Sequence, residues 1–209
     1  MYLSRITLNM QDVETIRAMA KPTLLHGAIE QSFKGERKRR LWRIDQLGDA
    51  CFLLVLSEDQ PNFTTLIEQF NKGGSYEIKP YTNFLEQTNV NQTWRFRLCA
   101  NPVHSVKEQE SNKRGKLFAH ITKDYQKKWL LDRAAKNGFS LQDSDFDIIR
   151  SEWVNFTKNK DGNKKISIYT VTFEGILTVT NVDCFCKALV DGIGRAKAYG
   201  CGLLTIMRP

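Results

Sequence analysis

The sequence has few residues suited to holding a metal. Its 209 residues include three histidines and five cysteines. Cys51, Cys99, Cys184, Cys186 and Cys201 form no C-x-x-C pair, and no histidine stands at finger spacing from them. That argues against a structural zinc site. Five is an odd number, so internal disulfides cannot use every thiol. Reduced thiols in a cytoplasmic protein are expected, and the Asn-x-Thr triplets at Asn62, Asn91 and Asn155 would then carry no glycan. No apolar run approaches the roughly 20 residues of a membrane span. The opening segment has no signal-type core, because Arg5, Asn9, Gln11 and Asp12 interrupt it. No membrane partner is expected. The phosphate-loop, nucleophile-elbow and Ser-x-x-Lys patterns are absent. Asp143 to Asp147 starts like a calcium loop, but Ile148 replaces the required Gly and Val154 the required Glu. Neither metal nor cofactor is expected.

What the chain has is positive charge. Lys and Arg number 31 against 23 Asp and Glu, a net +8. With 41% apolar residues the chain is globular, and its length fits one large domain or two small ones. A soluble basic domain often meets a polyanion, most often nucleic acid. The cations cluster. Lys34, Arg37, Lys38, Arg39 and Arg40 share one short segment with a single acid, Glu36. Lys107, Lys113, Arg114 and Lys116 crowd a hydrophilic stretch read as a loop over 104–116. Lys158, Lys160, Lys164 and Lys165 crowd a hairpin turn. Any one run suits a solvated surface; together they favour phosphate contacts. A lysine-rich hairpin is also thin enough to enter a nucleic-acid groove where a stem ends.

The pattern of elements repeats, although the sequence does not. Tyr2–Leu8 alternates as a strand. Lys21-Pro22 opens a helix with Leu25, Ile29 and Phe33 on one stripe. Leu41–Ile44 and Cys51–Leu56 are two strands around a turn, Asn62–Phe70 is a short helix, and Tyr76–Lys79 is a strand. Residues 80–92 read as a polar connection. Trp94, Phe96 and Leu98 then alternate with Arg95, Arg97 and Cys99. Thr122–Lys136 is a helix, Phe146–Phe156 and Ile166–Val179 are strands, Asp183–Val190 is a helix, and Leu203–Met207 is a strand. Each half reads β-α-β-β-α-β, giving an α+β protein of two tandem ferredoxin-like domains, 1–88 and 89–209.

Two features are candidates for chemistry. The segment Gly192 to Leu204 holds Gly192, Gly194, Gly200 and Gly202 around Arg195 and Lys197. Glycines allow close backbone approach, and their N–H groups suit phosphate. The segment follows a helix and enters a strand, so it is not the dinucleotide fingerprint. His26 lies on the first helix with Thr23 and Glu30, on a face distinct from the apolar stripe. Its imidazole titrates near neutral pH, and such a residue is suited to proton transfer.

The opening Met-Tyr-Leu-Ser, the helical His26, Arg95-Phe96-Arg97-Leu98-x-Ala100-Asn101-Pro102, Phe173-Glu174-Gly175-x-Leu177 and the closing glycine segment occur in one order. In that order and spacing the chain resembles, end to end, the CasE (Cse3) family of CRISPR repeat endoribonucleases. The resemblance implies two ferredoxin-like domains that bind the CRISPR repeat RNA hairpin. It implies a metal-independent cut at the hairpin's 3′ base by the neighbouring 2′-hydroxyl, leaving a 2′,3′-cyclic phosphate and a 5′-hydroxyl. The product is then retained in the Cascade complex, whose nearest backbone subunit becomes a partner. The family histidine falls on His26, with Lys34 as a candidate second proton carrier. RNA contacts fall on Arg37, Lys38, Arg39, Arg40, Arg97, Lys158, Lys160, Lys164, Lys165, Gly192, Gly194, Arg195, Lys197, Gly200 and Gly202. Some members have Tyr at Thr23 and Lys at Gln31, and many have Arg at Cys99. Those departures keep one alternative open: an RNA-hairpin-binding subunit of the same fold that cuts weakly or not at all.

Overall fold

The computed structural model describes residues 1–106, 115–158 and 164–209. The chain begins with β1 (Tyr2–Leu8), α1 (Val13–Ala20), α2 (Pro22–Gln31), β2 (Leu41–Leu47), β3 (Ala50–Ser57), α3 (Thr64–Phe70) and β4 (Ser75–Pro80). A short α4 (Thr82–Glu86) leads to β5 (Thr93–Ala100), β6 (Val103–Val106) and β7 (Lys116–Ala119). Then come α5 (Lys123–Ala134), β8 (Phe139–Ser140), β9 (Phe146–Lys158), β10 (Lys164–Val179), α6 (Val182–Asp191) and β11 (Leu204–Met207).

The first sheet runs β2-β3-β1-β4, all antiparallel. The second runs β11-β5-β10, with β9 on the other edge of β10. Each is the strand order of a ferredoxin-like unit, as the element pattern predicts. Period-two alternation divides β2 between two tasks. Trp42 and Ile44 join the core beneath α2 and α3, with Ile6, Leu53, Val55, Ile29 and Phe63. Leu41, Arg43 and Asp45 point the other way. Leu41 packs with Leu56, Tyr81 and Leu203, so a small apolar cluster joins the two halves.

Several elements depart from the sequence reading. α1 is an extra helix, capped by the Asp12 side chain on the Glu14 N–H. Its pattern misleads because Val13 and Ile16 face solvent while Thr15 and Ala18 are buried. The 80–92 connection contains α4, whose Phe84 and Leu85 pack against both neighbouring cores. The hydrophilic stretch read as a loop is flanked by paired strands, β6 and β7. Lys107, Lys113 and Arg114 lie outside the described residues. β2 continues through Asp45, read as a turn, because an arginine partner lets that carboxylate be buried.

Candidate nucleic-acid interface and active site

Pro22 starts α2, where its missing N–H costs nothing. Leu25, Ala28 and Ile29 are buried against the sheet, which leaves His26 half-buried on the helix's flank. α2 also packs against the turn Lys197–Tyr199 of the glycine segment and against β9. His26 therefore belongs to the helix on which the two halves meet.

Arg37 approaches the imidazole: its Nη2 lies 3.0 Å from His26 Nε2. A guanidinium can only donate, so Nε2 must be the bare nitrogen and the ring proton sits on Nδ1. Nδ1 is buried and finds no partner among the described residues. Burial pushes the His26 pKa below its usual value; Glu30 opposes the shift, while Arg37 and Arg40 add to it. The result is a neutral imidazole whose basic nitrogen faces a displaceable cation.

Lys34 is not that cation. α2 ends at Gln31, with Ser32 as its cap, so Lys34 stands beyond the helix rather than on its face. Lys34 is exposed and has no ionic partner among the described residues. The rest of the basic segment divides. Arg40 is placed inward, against expectation: its side chain is 3% exposed, bonded to Glu30 at 2.8 Å and stacked over Phe33 at 4.0 Å. Lys38 is exposed but held by Glu58 and Asp59. Arg37 also pairs with Glu30 at 3.3 Å, and Arg39 reaches Asp191 at 3.8 Å. Through Asp191 the basic segment joins the glycine segment, because Lys197 Nζ donates to the Asp191 carbonyl at 2.6 Å. Burial lowers the Lys197 pKa, Arg39 lowers it further, and Asp191 opposes.

The glycine segment is held from below. Gly192 donates to Ala188, Ile193 to Gly202, and Gly202 to the carbonyl of Cys99. The N–H groups of Gly192 and Gly202 therefore point inward, not toward a ligand. At Gly194 and Arg195, both exposed, the backbone N–H groups find no acceptor among the described residues. Two adjacent free donors beside cations suit an anion. Gly200, at φ +84, presses against the Trp42 ring; a Cβ there would stand 2.9 Å from it.

Arg97 is only partly available, with its guanidinium bound to Glu174 and 3.6 Å from Asp45. Behind it lies a residue the sequence reading missed. Arg43 is 2% exposed. Its Nε and Nη2 grip Asp45 at 2.6 and 2.7 Å, Nη1 holds the carbonyls of Arg97 and Leu203 at 2.8 and 2.7 Å, and Nη2 also reaches Thr205. The signal was present as Arg43-x-Asp45 on one face of a strand, but Arg43 fell in what read as an apolar run and Asp45 in what read as the following turn.

Lys164 and Lys165 stand exposed at the start of β10, on the long β9–β10 ribbon. Lys158 ends β9, and Lys160 lies outside the described residues. Among the described residues no group of three or more His, Cys, Asp or Glu is placed to hold a metal ion, and no helix is long and apolar enough to cross a membrane.

Two ferredoxin-like units with a cation-flanked histidine on the helix between them define the class: a tandem ferredoxin-like protein with a basic seam. The particular family follows from comparison with known proteins. The family model described as "CRISPR associated protein" matches residues 1–208, and the chain belongs to this family. It is 27% identical over 219 aligned positions to the CRISPR-associated endoribonuclease Cse3 of Thermus thermophilus, covering 99% of each chain. It is 29% identical over 163 positions to the Cascade subunit CasE of Escherichia coli, covering 76% of this chain and 75% of that one. A solved structure of the CRISPR endoribonuclease Cse3 bound to a 19-nucleotide RNA superposes with a TM-score of 0.80 at 25% identity, over 99% of this chain and 98% of that chain.

Proposed function

We propose that the protein binds the hairpin of a CRISPR repeat RNA and cleaves it once at the 3′ base without metal. It then stays on the mature guide as a subunit of a Cascade complex in the cytoplasm. The observation that carries this is the neutral His26 with Nε2 bare, capped by Arg37 on the helix that meets the glycine segment. The relatives named endoribonuclease and Cascade subunit support it.

The chemistry requires a base, a binding site for the phosphate's developing charge, and a fixed line of attack. Nε2 of His26 takes the proton of the 2′-hydroxyl, whose oxygen attacks the adjacent phosphorus. The bond to the 5′-oxygen breaks, that oxygen takes a proton from water, and His26 returns its proton to solvent, giving a 2′,3′-cyclic phosphate and a 5′-hydroxyl. Arg37 moves from Nε2 to the phosphate as the RNA arrives, which exposes the base and stabilises the charge together. Arg39, Lys197 and the free N–H groups of Gly194 and Arg195 hold the flanking backbone. Lys158, Lys160, Lys164 and Lys165 enter the groove of the stem. The two domains divide between residues 88 and 89, and the backbone subunit nearest the hairpin is the protein neighbour.

Incubation of the protein with its repeat RNA in EDTA, beside His26→Ala, tests this. Cleavage should leave a cyclic phosphate, and His26→Ala should slow it by ~10²–10⁴-fold while the RNA stays bound. A 2′-deoxy residue upstream of the cut should block the reaction. Tight binding without any cut by the unaltered protein would instead establish the non-cutting subunit.

A further inference from the structure

A second cleft, of about 910 Å³, lies between the β6–β7 hairpin and α5. None of the residues around His26 lines it. One side carries the rings of His104, His120 and Tyr125, and Phe118 extends the run beyond the lining. Phe118 meets His104 at 6.1 Å, His104 meets His120 at 4.7 Å, and His120 meets Tyr125 at 5.8 Å, with interplanar angles of 30°, 32° and 21°. The run ends on exposed faces: Tyr125 is 61% exposed and Phe118 49%. The other side carries Lys128, paired with Asp132 at 3.2 Å, and Arg133, whose guanidinium lies 4.1 Å over the Trp129 ring.

Trp129 supplies an independent observation. It is 3% exposed and lines the cleft, yet its indole Nε1–H has no hydrogen-bond partner among the described residues. A buried donor without an acceptor costs free energy, which a ligand that reached it would recover. The same indole backs the glycine segment, since a Cβ at Gly194 would stand 3.1 Å from its ring. The Trp129 indole thus lies between the cleft and the glycine segment.

Open aromatic faces beside cations, with a buried N–H to spare, form a platform for unpaired nucleotides: rings for bases, cations for phosphates, a donor for a base carbonyl. We propose that this cleft binds the single-stranded RNA flanking the repeat hairpin, an assignment that rests on RNA being the partner. Bases stack on Tyr125 and His120, and the backbone follows Lys128 and Arg133. The site therefore reads the unpaired tail, while the basic ribbon holds the stem.

The test compares a blunt repeat hairpin with the same hairpin carrying a short unpaired tail on either side, with thiouridine in the tail for photo-crosslinking. One tail should tighten binding by about fivefold or more per stacked base and crosslink to the peptide containing His120 and Tyr125. Tyr125→Ala, at an exposed position, and the double variant with His120→Ala should remove that gain and leave blunt-hairpin affinity unchanged. A tail that adds no affinity overturns the proposal, as does a gain that survives both variants. Weaker capture of a neighbouring Cascade subunit by Tyr125→Ala, with tail affinity unchanged, overturns it in favour of a protein occupant. If the tail alone crosslinks at Tyr125 while the blunt hairpin does not bind, the cleft stands and the hairpin assignment falls.

Discussion

Arg37 donates to Nε2 of His26 across 3.0 Å, although its side chain is 73% exposed. An exposed cation on a half-buried base is easily exchanged for another partner. Protonation of His26 would place a second positive charge beside it, so the pair favours the neutral ring.

This pairing fixes a pH profile. A general base acts when unprotonated, so the cleavage rate rises with pH up to the His26 pKa and is level above it. Burial, Arg37 and Arg40 hold that value below the usual 6.5 against the opposing Glu30. The rate should therefore be level through neutral pH and fall only in acid. Arg37→Gln removes one lowering charge and should move the acid limb to higher pH. It should also reduce the plateau rate by ~10-fold or more, because the phosphate is left without that guanidinium. Single-turnover rates across pH check both; an unmoved limb would separate Arg37 from His26.

Arg43 should matter for stability more than its distance from the histidine implies. Arg43→Ala leaves Asp45 buried without its main partner and frees two carbonyls, a loss of about 3–5 kcal/mol. Arg43→Met with Asp45→Leu removes both charges and should recover much of that loss. Urea unfolding midpoints of the two variants make the comparison.

Gly200 and Gly48 are a matched pair. Both have positive φ, +84 and +59, but a Cβ meets Trp42 at the first and open space at the second. Gly200→Ala should cost about 1–3 kcal/mol and weaken RNA binding through the displaced glycine segment. Gly48→Ala should cost less and leave binding alone. Thermal melts and hairpin titrations decide it.

Lys164→Ala and Lys165→Ala should weaken hairpin binding with little effect on the rate once RNA is bound. For each lysine that neutralises a phosphate, its removal should flatten the slope of log affinity against log salt by about one. Titration at several salt concentrations gives the slope; an unchanged slope would place the stem elsewhere.

Much of the fold was legible because its strands and helices obey simple periods. Trp94, Phe96 and Leu98 alternate, and all are buried. α1 was hidden because its apolar residues face outward, and β6 and β7 because pairing there does not depend on an apolar face. In the candidate site, His26 and the basic segment could be picked out, but not the division of labour within it. Charge alone does not distinguish Arg37, which faces His26, from Arg40, which is stacked on Phe33 and bound to Glu30. Trp42 and Trp129 read as ordinary core, and their contacts with the glycine segment come from distant parts of the chain.

Arg43 grips the carbonyl of Leu203, made 160 residues later. During synthesis the N-terminal unit therefore emerges with this guanidinium held by Asp45 but its Nη1 without the two later carbonyls, on the side opposite His26. The helix bearing His26 can fold early, but the glycine segment is fixed beside it only when β11 docks. On the proposed function, a half-made chain cannot present a finished cleavage site. A nascent chain stalled before β11 should expose an incomplete basic seam to RNA, and release of that strand is the step that arms the enzyme.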